Sequence, residues 1–329
     1  MKAYSIKSGK ARPLGGIKDK ILVTGSVAYD RIMNFPGFFK NEILPDKLHI
    51  LNVSFLVKEL KESFGGTAGN IAYNLSLLGL QPSILANVGA KDFILYEAWL
   101  RRNKIDLSQI NILPGQHTAS AYIITDQSDN QIAGFFPGAM MMPVTNQALI
   151  ARHVALAVVA AQNPVDMIKL PKIFKQKKIP YIFDPGQQVS SLSGNQLKTA
   201  VKGSKVLIGN DYEISLILKK TGWTLKSILN QTEILVTTLG SKGSEIRRGN
   251  EVNIIKPAQA KSNLDPTGAG DAYRAGLIKG LVEGWSLAKT GQLAGLVAVY
   301  TVEKYGTQTH KFSLTGLRKR YQQNFKSNF

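Results

Sequence analysis

No cysteine occurs among the 329 residues. Disulfide staples and cysteine-built zinc sites are therefore excluded, and with them the small secreted scaffold and the zinc ribbon. Long apolar runs are missing as well. No stretch approaches the ~18 residues of a membrane span, and the first residues carry no apolar core of a secretory signal. No membrane partner is expected, and the cytoplasm is the default location. Two phosphate-binding signatures are also absent. Gly-Lys-Ser/Thr occurs nowhere, so there is no Walker A loop, and no Gly-x-Gly-x-x-Gly follows a strand pattern, which disfavours a dinucleotide oxidoreductase.

Acidic residues are scarce: 22 Asp and Glu stand against 41 Lys and Arg, a net charge of +19. That imbalance first points to a polyanion. Its location weakens the inference. Residues 1–20 contribute +5 (Lys2, Lys7, Lys10, Arg12, Lys18 and Lys20 against Asp19), and residues 311–329 contribute +5 (Lys311, Arg318, Lys319, Arg320 and Lys326). Lys169, Lys172, Lys175, Lys177 and Lys178 read as the solvated face and end of a helix. The sequence has no zinc-finger spacing, no RNP-like aromatic pair and no basic heptads, so a specific nucleic-acid partner is not expected. A non-enzymatic nucleic-acid binder remains the rival reading of a different class.

What is present is ordinary globular material, 44% apolar and 19% charged. At ~150 residues per domain the length allows two domains, or one large α/β unit with an embellishment. The pattern predicts strands over 21–27, 83–88, 154–160, 180–184, 205–209 and 233–238. Helices are predicted over 68–78, 93–102, 164–177, 211–220, 269–283 and 286–304, with a basic helix over 311–324. Hairpins are predicted at 118–136 and 244–256. Alternating strands and helices imply a mainly parallel sheet covered on both faces. Two β-rich inserts, about 34–57 and 116–136, are expected to pair as a small lid over the ligand edge. Residues 1–20 form a basic extension and 21–329 the α/β domain.

Five stretches carry chemistry. Asp265-Pro-Thr-Gly-Ala-Gly-Asp271 opens a helix. The amides of Gly268, Ala269 and Gly270 in its first turn make an anion site, and Asp271 in the same turn can accept a hydroxyl proton. Together these suit phosphoryl transfer to an alcohol, and the helix dipole is expected to keep Asp271 ionised. Gly65-Gly66-Thr-Ala-Gly-Asn70 opens another helix, where glycines admit a ligand to the backbone and Asn70 both donates and accepts. Asp30 follows the first strand. Asn210-Asp-Tyr-Glu213 either organises hydrated Mg²⁺ or forms a capping box; spacing alone leaves both open. Thr237-Thr-Leu-Gly-Ser-Lys-Gly243 is a turn able to cradle a nucleotide, with Lys242 equally a solvated lysine.

In this order the five stretches resemble the ribokinase-like (PfkB) kinase family, over about residues 21–308. The resemblance implies a ribokinase-like fold, an ATP- and Mg²⁺-dependent phosphotransfer, Asp271 as base and Gly268–Gly270 as anion hole. It further implies that Asn210 and Glu213 hold the metal–phosphate water network. Thr238, Gly240, Lys242 and Gly243 would line the ATP site, and Asp30 with Gly65, Gly66 and Asn70 would grip sugar hydroxyls. Many members have a monovalent-cation (K⁺) loop near the residue equivalent to Asp265. Within the family, GSVAYDRIMNFPGFF (25–39), FFPGAM (135–140), DPGQQ (184–188) and DPTGAGDAYRAG (265–276) look most like bacterial adenosine kinases. By that resemblance Ser26, Ser54, Phe135, Gln187 and Gln188 join the nucleoside pocket. Two positions depart from it: Ser191 stands near where such enzymes often carry arginine, and Ala121 where the lid often carries an aromatic. The expected activity is phosphorylation of the adenosine 5′-hydroxyl; a sugar such as ribose or fructose, or another nucleoside, is the alternative substrate. The apolar lid inserts make a homodimer through the lid an expectation too.

Overall fold

A computed structural model describes residues 20–144 and 154–327. Most of the basic extension expected over 1–20 lies outside the described residues. In chain order the strands are β1 (Lys20–Thr24), β2 (Ala28–Asn34), β3 (Glu59–Gly65), β4 (Pro82–Gly89), β5 (Asp106–Leu113), β6 (Ala119–Thr125) and β7 (Gln131–Phe136). They continue as β8 (Val154–Val159), β9 (Tyr181–Phe183), β10 (Val206–Asn210), β11 (Ile234–Thr238), β12 (Ser244–Arg248) and β13 (Glu251–Ile255). The helices are α1 (Phe39–Glu42), α2 (Thr67–Leu77), α3 (Ile94–Arg102), α4 (Pro164–Gln176) and α5 (Gly194–Val201). After these come α6 (Asp211–Thr221), α7 (Leu225–Leu229), α8 (Ala269–Val282), α9 (Leu287–Val302) and α10 (Leu314–Phe325).

Nine strands form one sheet in the order β13-β12-β11-β10-β9-β8-β1-β4-β5. All neighbours pair in parallel except β11–β12 and β12–β13, which are antiparallel. Successive residues of a strand face opposite sides, and both sides here are apolar. Ile21 and Val23 of β1 join a core with residues of α2, α8, α9 and α10, while Leu22 joins one with residues of α4, α5 and α6. This is the ribokinase-like α/β architecture that the motif order implied.

The lid is a separate four-stranded sheet, order β3-β2-β6-β7. Its composition corrects the expected inserts. The second insert supplies β6 and β7 as anticipated, but the first does not supply a strand over 34–57. That stretch holds α1, a 3₁₀ turn at Pro45–Ile50 and extended chain. The lid strands flank it. β2 follows β1 after three residues, and β3 runs directly into α2 through Gly66. Asp30 therefore belongs to the lid and not to the end of a central strand. β5, α5 and α7 were not anticipated.

β1 has β4 on one side and β8 on the other, and later strands extend the sheet past β8. The direction of winding thus reverses between β1 and β8. In open α/β sheets ligands enter beside such a reversal, at the carboxyl ends of the strands. Ser26, Asp184, Asn210 and Thr238 all lie at those ends.

Candidate active site

Gly66 sets the geometry between lid and sheet. It is the cap residue of α2 with φ +82, and a Cβ there would lie 2.6 Å from Ala28 N and from Ser26 O. Only glycine tolerates both the conformation and the approach. Ser26 Oγ accepts from Thr67 N (2.9 Å), and Thr67 Oγ1 accepts from Ser26 N (3.2 Å), which staples the end of β1 to the start of α2. Gly65 leaves room for Asp30: a Cβ would meet Asp30 Oδ2 at 2.3 Å.

α8 begins after Gly268, which caps it at φ +77 against Thr307. One expected amide is not free. Ala269 N donates to Pro266 O (3.1 Å) within the turn, which leaves the amides of Gly268 and Gly270, with that of Asp271, as the donors open to an anion. Asp271 Oδ2 accepts from Asn70 Nδ2 at 2.8 Å. This joins the two glycine-rich stretches across 201 residues of chain. Burial pushes the Asp271 carboxyl up to about 7, and the nearby Asp184 and Asp30 charges act in the same direction. The Arg274 guanidinium and the Asn70 hydrogen bond pull it down. Desolvation outweighs the helix dipole that was expected to keep it ionised, because the dipole is worth at most ~2 kcal/mol. Asp30 is raised to about 6, mainly by burial and then by Asp265.

Asp184 and Arg274 were missed as site residues. Their side chains form a buried two-pronged ion pair, with Arg274 Nη2 to Asp184 Oδ1 at 2.5 Å and Nε to Oδ2. Arg274 Nη1 also donates to Gly270 O at 3.0 Å, which braces the anion turn. Gln187 and Gln188 lie on the 3₁₀ turn just beyond Asp184. Lys220 holds the chain after that turn by donating to Val189 O, Ser190 O and Leu192 O. Of the five lysines read as solvated, Lys175 departs: its ammonium donates to Thr199 O and Lys202 O at the end of α5.

Asn210 and Glu213 do form a capping box. Glu213 N donates to Asn210 Oδ1 and Asn210 N donates to Glu213 Oε2, both at 2.8 Å. Glu213 titrates above its ordinary range, first through burial and then through Asp184. Asn210 pairs in register with Thr238, so the Thr238–Gly243 turn lies beside it. A hydroxyl contact between Ser244 and Tyr273 (2.7 Å) ties that region to α8. Asp265 accepts from Thr267 N (2.9 Å) and Gly306 N (3.0 Å), closing the loop before α8 onto the loop after α9. Among the described residues no cluster of three or more His, Cys, Asp or Glu could hold a metal. Ser54 is exposed in the extended chain before β3, and Phe135 is 53% exposed on β7. Neither touches the Asp271 cluster in any recorded hydrogen bond or ring contact.

A buried carboxyl raised by desolvation, open amides at a helix start and a lid carboxylate converge at the reversal point of the sheet. The model of the pfkB carbohydrate kinase family matches residues 18–312. The chain belongs to that family. Among curated relatives, the nucleoside kinase of Methanocaldococcus jannaschii is 30% identical over 305 residues, 90% of this chain and 95% of the relative. That of Methanothermobacter thermautotrophicus is 30% identical over 295 residues, 88% and 91% of the two chains. The Burkholderia thailandensis nucleoside kinase solved with inosine superposes with a TM-score of 0.85 at 35% identity, covering 94% of this chain and 99% of the other. As a pfkB-family kinase the protein is a phosphotransferase, and no helix among its described residues is long and apolar enough to cross a membrane.

Proposed function

We propose that the protein is an ATP-dependent nucleoside kinase acting on the 5′-hydroxyl, with adenosine as its first expected substrate. The observation that carries this reading is the direct contact of Asn70 with Asp271. It supports a reading in which Asn70 grips the substrate hydroxyl beside Asp271 as the base, between lid and helix start. The nucleoside sugar lies against Asp30 and Asn70, with Ser26, Ser54, Phe135, Gln187 and Gln188 as its further neighbours. Phe135 offers an exposed ring on which a purine can stack. Asp271 takes the hydroxyl proton, and a carboxyl near 7 is well matched to that task at neutral pH. The amides of Gly268 and Gly270, with that of Asp271, meet the charge that develops on the transferring group. Thr238, Gly240, Lys242 and Gly243 line the nucleotide side.

Asn210 and Glu213 stand at this edge, where the Asp184 charge acts on Glu213, and they suit a hydrated Mg²⁺ met mainly through water. When bound, Mg²⁺ supplies neutralisation of phosphate charge. Asp265 is the candidate for a monovalent cation. The observation that favours a wider reading is the inosine in the Burkholderia thailandensis enzyme, so inosine and guanosine belong beside adenosine. The exposed lid residues Leu48, Ile50, Leu60, Ile132 and Phe136 make a lid-to-lid homodimer part of the proposal; light scattering showing a monomer at micromolar concentration would count against it. The cytoplasm is the setting proposed for this activity.

A panel of adenosine, inosine, guanosine, ribose and fructose with an ADP-release readout tests the reading. Turnover of nucleosides and none of free sugars is expected; the reverse overturns it. Asp271→Asn should lower kcat by at least ~100-fold with little change in nucleoside Kd by calorimetry. Near-normal turnover would remove Asp271 from its role.

A further inference from the structure

A buried chain of hydrogen bonds leads away from Asp271 into the protein. Asn70 Nδ2 donates to Asp271 Oδ2 (2.8 Å), and Gln308 Nε2 donates to Asn70 Oδ1 (3.0 Å). Trp99 Nε1 donates to Gln308 Oε1 (2.9 Å). The second Gln308 N–H is also committed, to Tyr96 Oη at 2.6 Å, while that hydroxyl donates to Gly65 O at 2.7 Å. Asn70, Tyr96 and Gln308 are almost wholly buried.

An amide side chain can in general be turned end for end, and its neighbours decide which way it faces. Here the decision is forced at Gln308, by Trp99 and by Tyr96, whose hydroxyl donates to Gly65 O and so accepts from Gln308. An indole N–H donates and never accepts. It therefore fixes Oε1 of Gln308 toward Trp99 and Nε2 toward Asn70. That fixes Oδ1 of Asn70 toward Gln308, leaving its Nδ2 to face Asp271. Turning either amide alone would set donor against donor or acceptor against acceptor in a buried place, at a cost of ~1–3 kcal/mol.

We propose that Trp99, Gln308 and Asn70 form a one-way hydrogen-bond relay that makes Asp271 an acceptor, with Trp99 and Gln308 as positioning residues for the base. The proposal rests on Asp271 being that base. A donor aimed at a carboxylate favours its charged form, so the relay offsets part of the burial that raises Asp271. Other groups facing Asp271 are Arg274 on its own helix, Asp184 beyond β9, Asp30 on the lid and Tyr96 on α3. Of these only Tyr96 depends on the orientation of the Gln308 amide, because its hydroxyl accepts from Gln308 Nε2. The relay also ties the loop after α9 to the site, since Thr307 Oγ1 donates to Phe64 O (2.7 Å) beside it.

The test is the titration midpoint of Asp271, followed by carboxyl carbon NMR of the whole protein and assigned by its loss in Asp271→Asn. Trp99→Phe keeps a ring stacked against Phe64 and Tyr73 but removes the donor. Gln308 and Asn70 can then reverse as the Tyr96 hydroxyl turns its proton from Gly65 O to Gln308 Oε1, and Asp271 must keep its proton to meet a carbonyl. The midpoint should rise by about half a pH unit or more, and the acid limb of kcat should move with it while nucleoside KM holds. Gln308→Met breaks the chain without being able to transmit a reversal. In that background Trp99→Phe should no longer move the midpoint. An unchanged midpoint in Trp99→Phe overturns the relay, as does an equal shift with and without Gln308. Full turnover by Asp271→Asn would instead refute the base assignment, and the titration would still decide the relay.

Discussion

Arg274 and Asp184 show how far a residue's worth depends on its partner. Both are buried, at 9% and 4% side-chain exposure, and they satisfy one another through two hydrogen bonds. Removing one partner of such a pair leaves the other charged and desolvated. Arg274→Met should therefore cost ~3–5 kcal/mol in urea unfolding, and adding Asp184→Asn should restore much of it. A double variant no better than Arg274→Met alone would show that Arg274 matters through Gly270 and not through Asp184. Neither charge was singled out in the sequence, although both lie inside the quoted stretches DPGQQ and DAYRAG. They are 90 residues apart, and no local spacing pairs residues at that distance. Asp271, Asn70 and the glycines were legible because each signature is contiguous and opens a helix. Glu213 was legible as a residue, but spacing could not choose between cap and metal neighbour; the cap is what the structure builds, and a water-mediated role remains compatible with it.

At the scale of elements the helices α2, α4, α6, α8 and α9 and most central strands were readable from apolar periodicity. Pro171 does not break α4, which runs unbroken from Pro164 to Gln176. The lid was harder. Its strands β2 and β3 carry Asp30, Arg31, Glu59, Lys61 and Glu62, so they lack the apolar density that drew attention to the Phe-rich chain between them. That chain gathers Phe35, Phe39 and Phe55 into an aromatic cluster instead of a strand. β5 was missed because its alternation is irregular. The packing of α8 on α9 yields a prediction with opposite signs at two glycines. A Cβ on Gly276 would meet Ala294 Cα at 2.6 Å and its N at 3.0 Å, backbone atoms that cannot turn aside. Gly295, also helical, has only Ala258 N at 4.0 Å. Gly276→Ala should lower stability by ~1–3 kcal/mol by forcing the helices apart. Gly295→Ala should raise it by up to ~1 kcal/mol by restraining the unfolded chain. Equal effects in thermal unfolding would contradict the packing argument.

Over the whole molecule the charge of +19 is less telling than the fate of a few carboxylates. Part of the basic C-terminal segment is structural: Arg320 is bound to Glu303 through two nitrogens and lies over Tyr300. Conversely, several of the scarce acids are held where they are costly. Burial raises Asp30 and Asp166 to about 6 and Asp271 to about 7. The native state then binds more protons than the unfolded chain between about pH 4 and pH 7, so these groups make stability fall as pH rises through that window. His310 works the other way. Burial lowers it to about 4, so its contribution to stability is lost as pH falls from about 6.5 toward 4. The two signs separate in a variant. Asp271→Asn removes one costly carboxylate and leaves His310 in place, mimicking the neutral form at every pH. It should match the parent near pH 4, gain steadily above it, and level off above about pH 7 at ~1–3 kcal/mol more stable. Urea midpoints across that range check the course. A constant offset would mean that the change acts through packing. A gain that builds between about pH 4 and pH 7 and then holds, in the same variant that loses turnover, would mean that the fold gives up stability to keep a base charged in a buried place.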